Sequence, residues 1–132
     1  MNKNSTVRGA MSPTPHTIGS EQTLATAHAL MRQHGVRHLP VLHGGKLLGI
    51  VSQRDLFFVE SLKDVDPERV TVEEAMTQEP YVVDAETPLP EVVRTMAQSR
   101  YGAALVTEKS KVVGIFTAVD ALHLLGTLLD EA

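Results

Sequence analysis

Two short segments combine residue types that could bind a ligand: GIVSQRD at 49–55 and GIFTAVD at 114–120. In each, a glycine and two apolar residues precede a hydroxyl, and an aspartate follows three positions after the hydroxyl. A hydroxyl and an acid at this spacing are also typical of a capping box, in which both side chains bond backbone amides at a helix start. On either interpretation, Ser52 and Thr117 are predicted to begin helices.

The surroundings of the hydroxyl and the acid favour a binding role over capping alone. Glycine lets another group approach the backbone closely, and a helix start offers free amides and the positive end of the helix dipole. A carboxylate there can accept two hydrogen bonds from a vicinal diol, the arrangement that ribose presents. Because the motif occurs twice in matching contexts, a nucleotide cleft is the stronger interpretation.

The two motifs are part of an internal repeat with a constant offset of 65 positions and no gaps. Matching pairs extend over some fifty positions and include Val7/Val72, Met11/Met76, Leu24/Leu89, Met31/Met96, Val41/Val106, Gly49/Gly114 and Asp55/Asp120. Two copies are too few for a solenoid. We therefore expect two similar halves about a pseudo-twofold axis. The predicted bounds are 7–62 and 72–129, with a polar linker at 63–71.

The sequence of each half predicts secondary-structure elements in the order β-α-β-β-α. The first strand is expected at His16–Ile18 and at Tyr81–Val83. The first helix is expected to start at Ser20 in one half, and at Thr87 with Pro88 as first helical residue in the other. In both halves, apolar residues recur at helical spacing along this helix and are expected to form a buried stripe. Gly35 is expected to end the helix of the first half. The stripe residues are Leu24, Ala27 and Met31, and Leu89, Val92 and Met96.

Two strands joined by a tight turn follow in each half, HLPVL to LLGIV and AALV to VVGIF. Gly44-Gly45 is the stronger turn signal, and residues 108–111 form a polar turn of similar length. Pro40 lacks an amide donor, so its strand is expected to lie at an edge or to be irregular there. The last helix is expected from Ala118 to about Leu129.

The composition is that of an ordinary folded domain. The 132 residues are 42% hydrophobic, contain no cysteine and carry a net charge of −4. No segment approaches the ~20 apolar residues of a membrane span, and the first residues lack the apolar stretch of a secretory signal. We therefore expect a cytoplasmic protein that forms a single compact module over 1–132. The negative charge disfavours a nucleic-acid-binding regulator.

The order and repetition of these features resemble a tandem cystathionine-β-synthase (CBS) domain pair, or Bateman module, without an attached domain. The resemblance covers about Val7 to Leu125 and is carried by VRGAM/VEEAM, VRHLPVL/YGAALVT, GIVSQRD and GIFTAVD. It implies an α/β (α+β) fold of two pseudo-twofold-related repeats packed through their sheets. It also implies clefts for AMP, ADP, ATP or S-adenosylmethionine, in which the aspartate holds the ribose and the hydroxyl assists.

By this resemblance each cleft combines the motif of one repeat with residues of the other. One cleft would hold Ile115, Thr117 and Asp120 with His16, Val36, Arg37 and His38; the other would hold Ile50, Ser52 and Asp55 with Tyr81, Tyr101, Gly102 and Ala103. The guanidinium of Arg37 suits a phosphate, so the Asp120 cleft is predicted to be the tighter site. Arg54 lies near the other cleft, either as a ligand contact or as a solvated surface charge.

Other chemistry is disfavoured. The six histidines do not converge by spacing, so no metal site is predicted. No catalytic residue is predicted, because no histidine is assured beside Ser52. The leading interpretation is therefore a regulatory sensor that acts on an unknown effector protein and needs no cofactor beyond its adenosyl ligand. The apolar last helix predicts a homodimer through the repeat-terminal helices, or it packs within the chain. The alternative function is a structural dimerisation module with vestigial clefts.

Overall fold

The computed structural model describes residues 5–132 and shows a mixed α/β protein with two sheets and five α-helices in that part of the chain. In chain order its elements are a 3-10 turn at Val7–Gly9, β1 Ser12–Pro13, β2 Ile18–Gly19, α1 Leu24–His34, β3 His38–His43, β4 Lys46–Ser52, α2 Gln53–Glu60, α3 Val72–Ala75, β5 Val82–Asp84, α4 Leu89–Ser99, β6 Ala103–Glu108, β7 Lys111–Thr117 and α5 Ala118–Asp130.

The chain divides into two compact units that are offset from the sequence repeats. One unit, here the continuous unit, is His16–Pro80. The other, here the discontinuous unit, joins residues 5–15 to Tyr81–Ala132. The segment before residue 16 therefore folds with the second repeat, and the segment that follows α2 folds with the first.

Each unit contains one sheet built on the same plan. The continuous unit has the strand order β2-β3-β4, with β2 parallel and β4 antiparallel to β3. The discontinuous unit has the order β1-β7-β6-β5, with β5 parallel and β7 antiparallel to β6. Strand β1 adds to the outer edge of β7 through Ser12 and Ile115. At the equivalent edge of the continuous unit, Thr77 pairs with Ile50.

Each unit has its own apolar core, and the predicted helix stripes lie in these cores. Leu24, Ala27 and Met31 are buried in the continuous unit, with Leu39, Val41 and Leu56. Leu89, Val92 and Met96 are buried in the discontinuous unit, with Val106 and Phe116. The stripe predicted from helical spacing is thus confirmed in both repeats.

The segment at 5–15 is held on the discontinuous unit by side-chain burial and backbone bonds. Val7 is fully buried in the core of this unit, and its amide donates to the Thr87 carbonyl at 2.9 Å. Arg8 forms ion pairs with Glu108 and Glu86, and hydrogen bonds to these carboxylates raise its pKa above the usual value. The equivalent residue of the second repeat, Val72, is buried in the core of the continuous unit.

The predicted starts of the first helix in each repeat are wrong by a few residues. Thr23, not Ser20, is the N-cap of α1, and its hydroxyl accepts from the Thr26 amide. Ser20 is buried, and its hydroxyl instead lies 3.1 Å from Nδ1 of His43. Helix α4 begins at Leu89, so Pro88 is the N-cap rather than the first helical residue. Local capping signals could not choose among neighbouring candidates, because tertiary contacts occupy some of them.

The end of α1 and the hairpin turns agree with the prediction. Gly35 ends α1 with a φ of 65°, and Arg100 takes the same left-handed conformation after α4 with a φ of 59°. Both turns have positive φ at their two central residues, as the tight hairpin turn requires. These residues are Gly44 and Gly45 in one unit and Lys109 and Ser110 in the other.

The strand that contains Pro40 is not an edge strand, contrary to one form of the prediction. β3 is the central strand of its sheet, but its pairing with β2 begins only at Val41, after the proline. An irregularity does follow, between Val41 and Leu42. The same irregularity occurs between Val106 and Thr107, where no proline is present. It therefore belongs to the repeat and is not an effect of Pro40.

Candidate functional site

The hydroxyl-and-aspartate motif of the continuous unit forms a complete capping box at the start of α2. The Asp55 amide donates to Oγ of Ser52 at 3.1 Å. The Ser52 amide donates to Oδ2 of Asp55 at 2.9 Å. Both side chains are half-buried. The prediction that the motif caps a helix is thus confirmed, and the Asp55 carboxylate is held in one orientation.

The discontinuous unit repeats this geometry at the start of α5. The Asp120 amide donates to Oγ1 of Thr117 at 3.2 Å, and the Thr117 amide donates to Oδ2 of Asp120 at 2.8 Å. Within residues 5–132, Oδ1 of Asp55 and Oδ1 of Asp120 have no hydrogen-bond partner. Each carboxylate is therefore oriented by one oxygen and has the other available as an acceptor.

The glycines of the two motifs allow close approach, and the group that approaches is the protein's own chain. A Cβ on Gly49 would overlap the carbonyl oxygen of Thr77, and a Cβ on Gly114 would overlap the side chain of Met11. The amide and carbonyl of Ile50 both bond Thr77, at 3.1 and 2.8 Å. The Ile50 amide is therefore not free to donate to a ligand, and Ile115 is itself buried.

The residues before Leu39 adjoin the motif of their own unit. His38 is half-buried and pairs with Ser52 across β3 and β4. The Arg37 carbonyl accepts from the Gln53 amide at 2.9 Å, and the amide of half-buried Val36 donates to the Met31 carbonyl. The Arg37 side chain is exposed and has no ion pair within the described residues. A cation on a fixed backbone thus lies near the start of α2.

Arg54 is the other arginine in this region. It lies on α2, is exposed and likewise has no ion pair among residues 5–132. It differs from Arg37 in lying on the first turn of a helix rather than on the loop before a strand.

One residue near these positions was not predicted from the sequence. His34, the last residue of α1, stacks on His16 with ring centroids 3.5 Å apart and ring planes 12° apart. The contact depends on the path of the chain before β2. No spacing or motif signal in the sequence joins the two histidines.

The discontinuous unit carries aromatic residues in the equivalent region. The rings of Tyr81 and Tyr101 are stacked, with centroids 5.0 Å apart. The Gly102 carbonyl accepts from the Ala118 amide at 2.9 Å, and Ala103 pairs with Thr117. The backbone bonds match those of the continuous unit at the 65-residue offset. The two units therefore share a framework but differ in side chains, with imidazoles and a guanidinium in one and phenol rings in the other.

The structure groups the predicted site residues by unit. His16, Val36, Arg37 and His38 lie in the continuous unit with Ile50, Ser52, Arg54 and Asp55, and Tyr81, Tyr101, Gly102 and Ala103 lie in the discontinuous unit with Ile115, Thr117 and Asp120. The predicted assignment of these residues to two clefts, each with residues of both repeats, stays a prediction.

Residues 5–132 contain no group of three histidine, aspartate or glutamate side chains placed to hold a metal ion. None of the helices described is both long enough and apolar enough to cross a membrane.

Known proteins match this chain over most of its length. The family model of the CBS domain matches residues 7–61 and again residues 72–127. Hypoxic response protein 1 of Mycobacterium tuberculosis is 29% identical over 121 residues, which are 90% of this chain and 85% of that protein. Inosine-5′-monophosphate dehydrogenase of Korarchaeum cryptofilum is 33% identical over 108 residues, or 81% of this chain. The match is 21% of that enzyme, so this chain spans about a fifth of its length.

One similar solved structure contains bound ligands. The CBS domain pair of protein MJ0100, in complex with 5′-methylthioadenosine and S-adenosyl-L-methionine, superposes with a TM-score of 0.84. It is 26% identical, and the alignment covers 93% of this chain and 97% of that one. With two matches to the family model and the same fold as a solved pair, the chain belongs to the CBS domain family and carries two copies of the domain in tandem.

Proposed function

We propose that this protein is a regulatory module that senses an adenosine-containing ligand, either AMP, ADP, ATP or S-adenosylmethionine. CBS domain pairs are regulatory, and the pair of MJ0100 is solved with two adenosyl compounds. The observation that carries the proposal is the pair of aspartates at the starts of α2 and α5. Each is held by a capping box through Oδ2, while Oδ1 has no partner among residues 5–132.

This geometry suits a sugar better than a phosphate. A carboxylate with an available oxygen accepts hydrogen bonds from the hydroxyls of ribose. The same negative charge repels a phosphate, even though a helix start would otherwise favour an anion. We therefore assign the ribose to Asp120 or Asp55 and the phosphate to the exposed guanidinium of Arg37.

The mechanism needs no catalytic group. The hydroxyls of Ser52 and Thr117 accept hydrogen bonds as helix caps. Ligand binding would instead shift the equilibrium between two shapes or association states of the protein. The size of this shift is set by the difference in ligand affinity between the two states. The homodimer and the effector protein are parts of this proposal.

Calorimetric titration of the Asp120→Asn and Asp55→Asn variants tests the binding role against simple capping. The asparagine oxygen can still accept from the Thr117 or Ser52 amide, so we expect unfolding free energy to change by about 1 kcal/mol or less. Loss of the charge-assisted bonds to ribose should weaken ADP binding by roughly 10-fold or more in at least one variant. The assignment would be refuted if both variants bound ADP with wild-type affinity. It would also be refuted if the wild type bound none of the four ligands at millimolar concentration.

The second candidate is a structural dimerisation module. Two observations favour it: the capping boxes by themselves give both aspartates a structural role, and α5 exposes several large apolar side chains. It predicts a stable dimer whose thermal stability does not change with nucleotide concentration, whereas a sensor is stabilised in proportion to the logarithm of ligand concentration.

A further inference from the structure

Within residues 5–132 the methionines fall into two pairs of different exposure. Met11 and Met76 are half-buried and pack against the two cores from outside, whereas Met31 and Met96 are only 3% and 6% exposed. The chain contains no cysteine, so methionine is the only residue type that carries sulfur. Because oxidation of a thioether follows its exposure, an oxidant such as hydrogen peroxide should reach Met11 and Met76 first.

The thioether of Met11 packs directly on the backbone of β7. A Cβ on Gly114 would overlap Sδ of Met11, so less than the space of a methyl group separates the sulfur from this strand. An oxygen added to the sulfur makes the side chain polar. If the side chain stays, the oxygen loses solvent, which is unfavourable; if it turns outward, the contact is lost. Both outcomes weaken the packing of Met11 on β7.

The other contacts between β1 and β7 are few. Strand β1 is only two residues long. Pro13 and Pro15 have no amide hydrogen, and the amide between them, that of Thr14, donates to the Val113 carbonyl at 3.0 Å. The Met11 side chain is therefore a substantial part of what holds β1 on β7.

Thr14 also has an unfavourable backbone conformation. Its φ is 50°, in the left-handed region that β-branched residues rarely adopt. Such a conformation persists only while the surrounding contacts hold it. Loss of the Met11 contact should therefore release the Thr14 amide from the Val113 carbonyl more often.

Met76 is the equivalent of Met11 at the 65-residue offset, but its segment is held more firmly. Its Sδ would lie 3.0 Å from a Cβ on Gly49, and the group nearest to that Cβ is the Thr77 carbonyl. Thr77 forms two backbone hydrogen bonds with Ile50, at 2.8 and 3.1 Å. Oxidation of Met76 should therefore leave the Thr77 segment in place.

We propose that Met11 is a site of reversible oxidation, at which peroxide loosens β1 from β7. The sulfur takes up one oxygen atom and is oxidised by two electrons, while the O–O bond of hydrogen peroxide breaks and water is released. A dithiol reductant reverses the step, becoming a disulfide as water is released. Because β7 ends at Thr117, the N-cap of α5, oxidation acts on the strand that leads into the second capping motif.

Peroxide treatment of the intact wild-type chain, followed by tandem mass spectrometry of its peptides, tests the order of oxidation. Met11 and Met76 should each gain an oxygen roughly 10-fold faster or more than Met31 and Met96, because exposure governs the rate. The chain unfolded in urea is the control, in which all four should react alike. Equal rates for Met11 and Met96 in the folded protein would overturn the proposal.

Hydrogen exchange of single amides, followed by NMR without nucleotide, tests the consequence of oxidation. Exchange of the Thr14 amide should become roughly 5-fold faster or more in the oxidised chain, because its hydrogen bond opens more often. Treatment with a methionine sulfoxide reductase and a dithiol should restore the original rate. The Thr77 amide is the internal control, and its exchange should change by less than roughly 2-fold.

Two variants separate oxidation of Met11 from other effects of peroxide. Met11→Gln introduces a polar group without an oxidant and should give fast Thr14 exchange in untreated protein. Met11→Leu keeps an apolar side chain of similar volume and should show wild-type exchange before and after peroxide. Unchanged Thr14 exchange in Met11→Gln, or faster exchange after peroxide in Met11→Leu, would overturn the proposal. Because nucleotide is absent, these results are separate from success or failure of adenosyl binding.

Discussion

At the scale of single residues, the repeated glycine-to-aspartate motif has a structural role in both units. Its hydroxyl and acid cap a helix, and its glycine makes room for a crossing segment. The sequence predicted the cap and the close approach. It could not identify the approaching group, because that group is Thr77 in one unit and Met11 in the other, and neither is linked to its glycine by any local pattern.

The two glycines should differ in their tolerance of alanine. At Gly49 the added Cβ meets the backbone oxygen of Thr77, which is fixed by hydrogen bonds to Ile50, so we expect a loss of about 1–3 kcal/mol of unfolding free energy. At Gly114 it meets the flexible side chain of Met11, so the loss should be about 1 kcal/mol or less. Urea unfolding of both variants measures the difference. Equal losses of unfolding free energy would contradict this expectation, because they would show that the Thr77 backbone moves aside as easily as the Met11 side chain.

The two exposed arginines of the continuous unit should differ in ligand binding. Arg37→Ala should weaken ADP binding by roughly 10-fold or more, because it removes a charge-assisted phosphate contact, and should leave adenosine binding nearly unchanged. Arg54→Ala is the control, because Arg54 is also exposed and also has no ion pair in the described residues. Isothermal titration calorimetry with both ligands compares them. A larger loss from Arg54→Ala would reverse the assignment of the phosphate.

At the scale of elements, local signals predicted the hairpins, the buried stripes and the end of α1 at Gly35, but not the starts of α1 and α4 or which core the VRGAM and VEEAM segments would join. Val7 and Val72 have the same residue type in similar sequence, so propensity and periodicity cannot assign them. The structure places Val7 in the core with α4 and Val72 in the core with α1. Such long-range placement depends on chain connectivity and tertiary packing, as does the stacking of His16 on His34.

Truncation of these valines should therefore destabilise different parts of the chain. Val7→Ala should cost about 2 kcal/mol and speed native-state hydrogen exchange in 81–132, although Val7 precedes that region by a whole repeat. Val72→Ala should instead speed exchange in 16–80. Hydrogen–deuterium exchange followed by mass spectrometry resolves the two patterns. Faster exchange at 16–80 in Val7→Ala would contradict the placement of the segment at 5–15.

At the scale of the whole molecule, the fold class and the two repeats follow from the sequence, because a constant offset and a matching order of elements are global features. The ligand does not follow in the same way. Ribose and adenine contacts use carboxylates, backbone groups and apolar side chains, which many sequences supply. The identity of the adenosyl compound therefore has to be measured.

The most direct test of adenosyl sensing is native mass spectrometry of the intact wild-type chain after incubation with AMP, ADP, ATP and S-adenosylmethionine in one mixture. We expect mass increments that match at least one of these compounds, and a smaller liganded fraction in the Asp120→Asn or Asp55→Asn variant. A spectrum that shows only unliganded protein with all four compounds at millimolar concentration would contradict it.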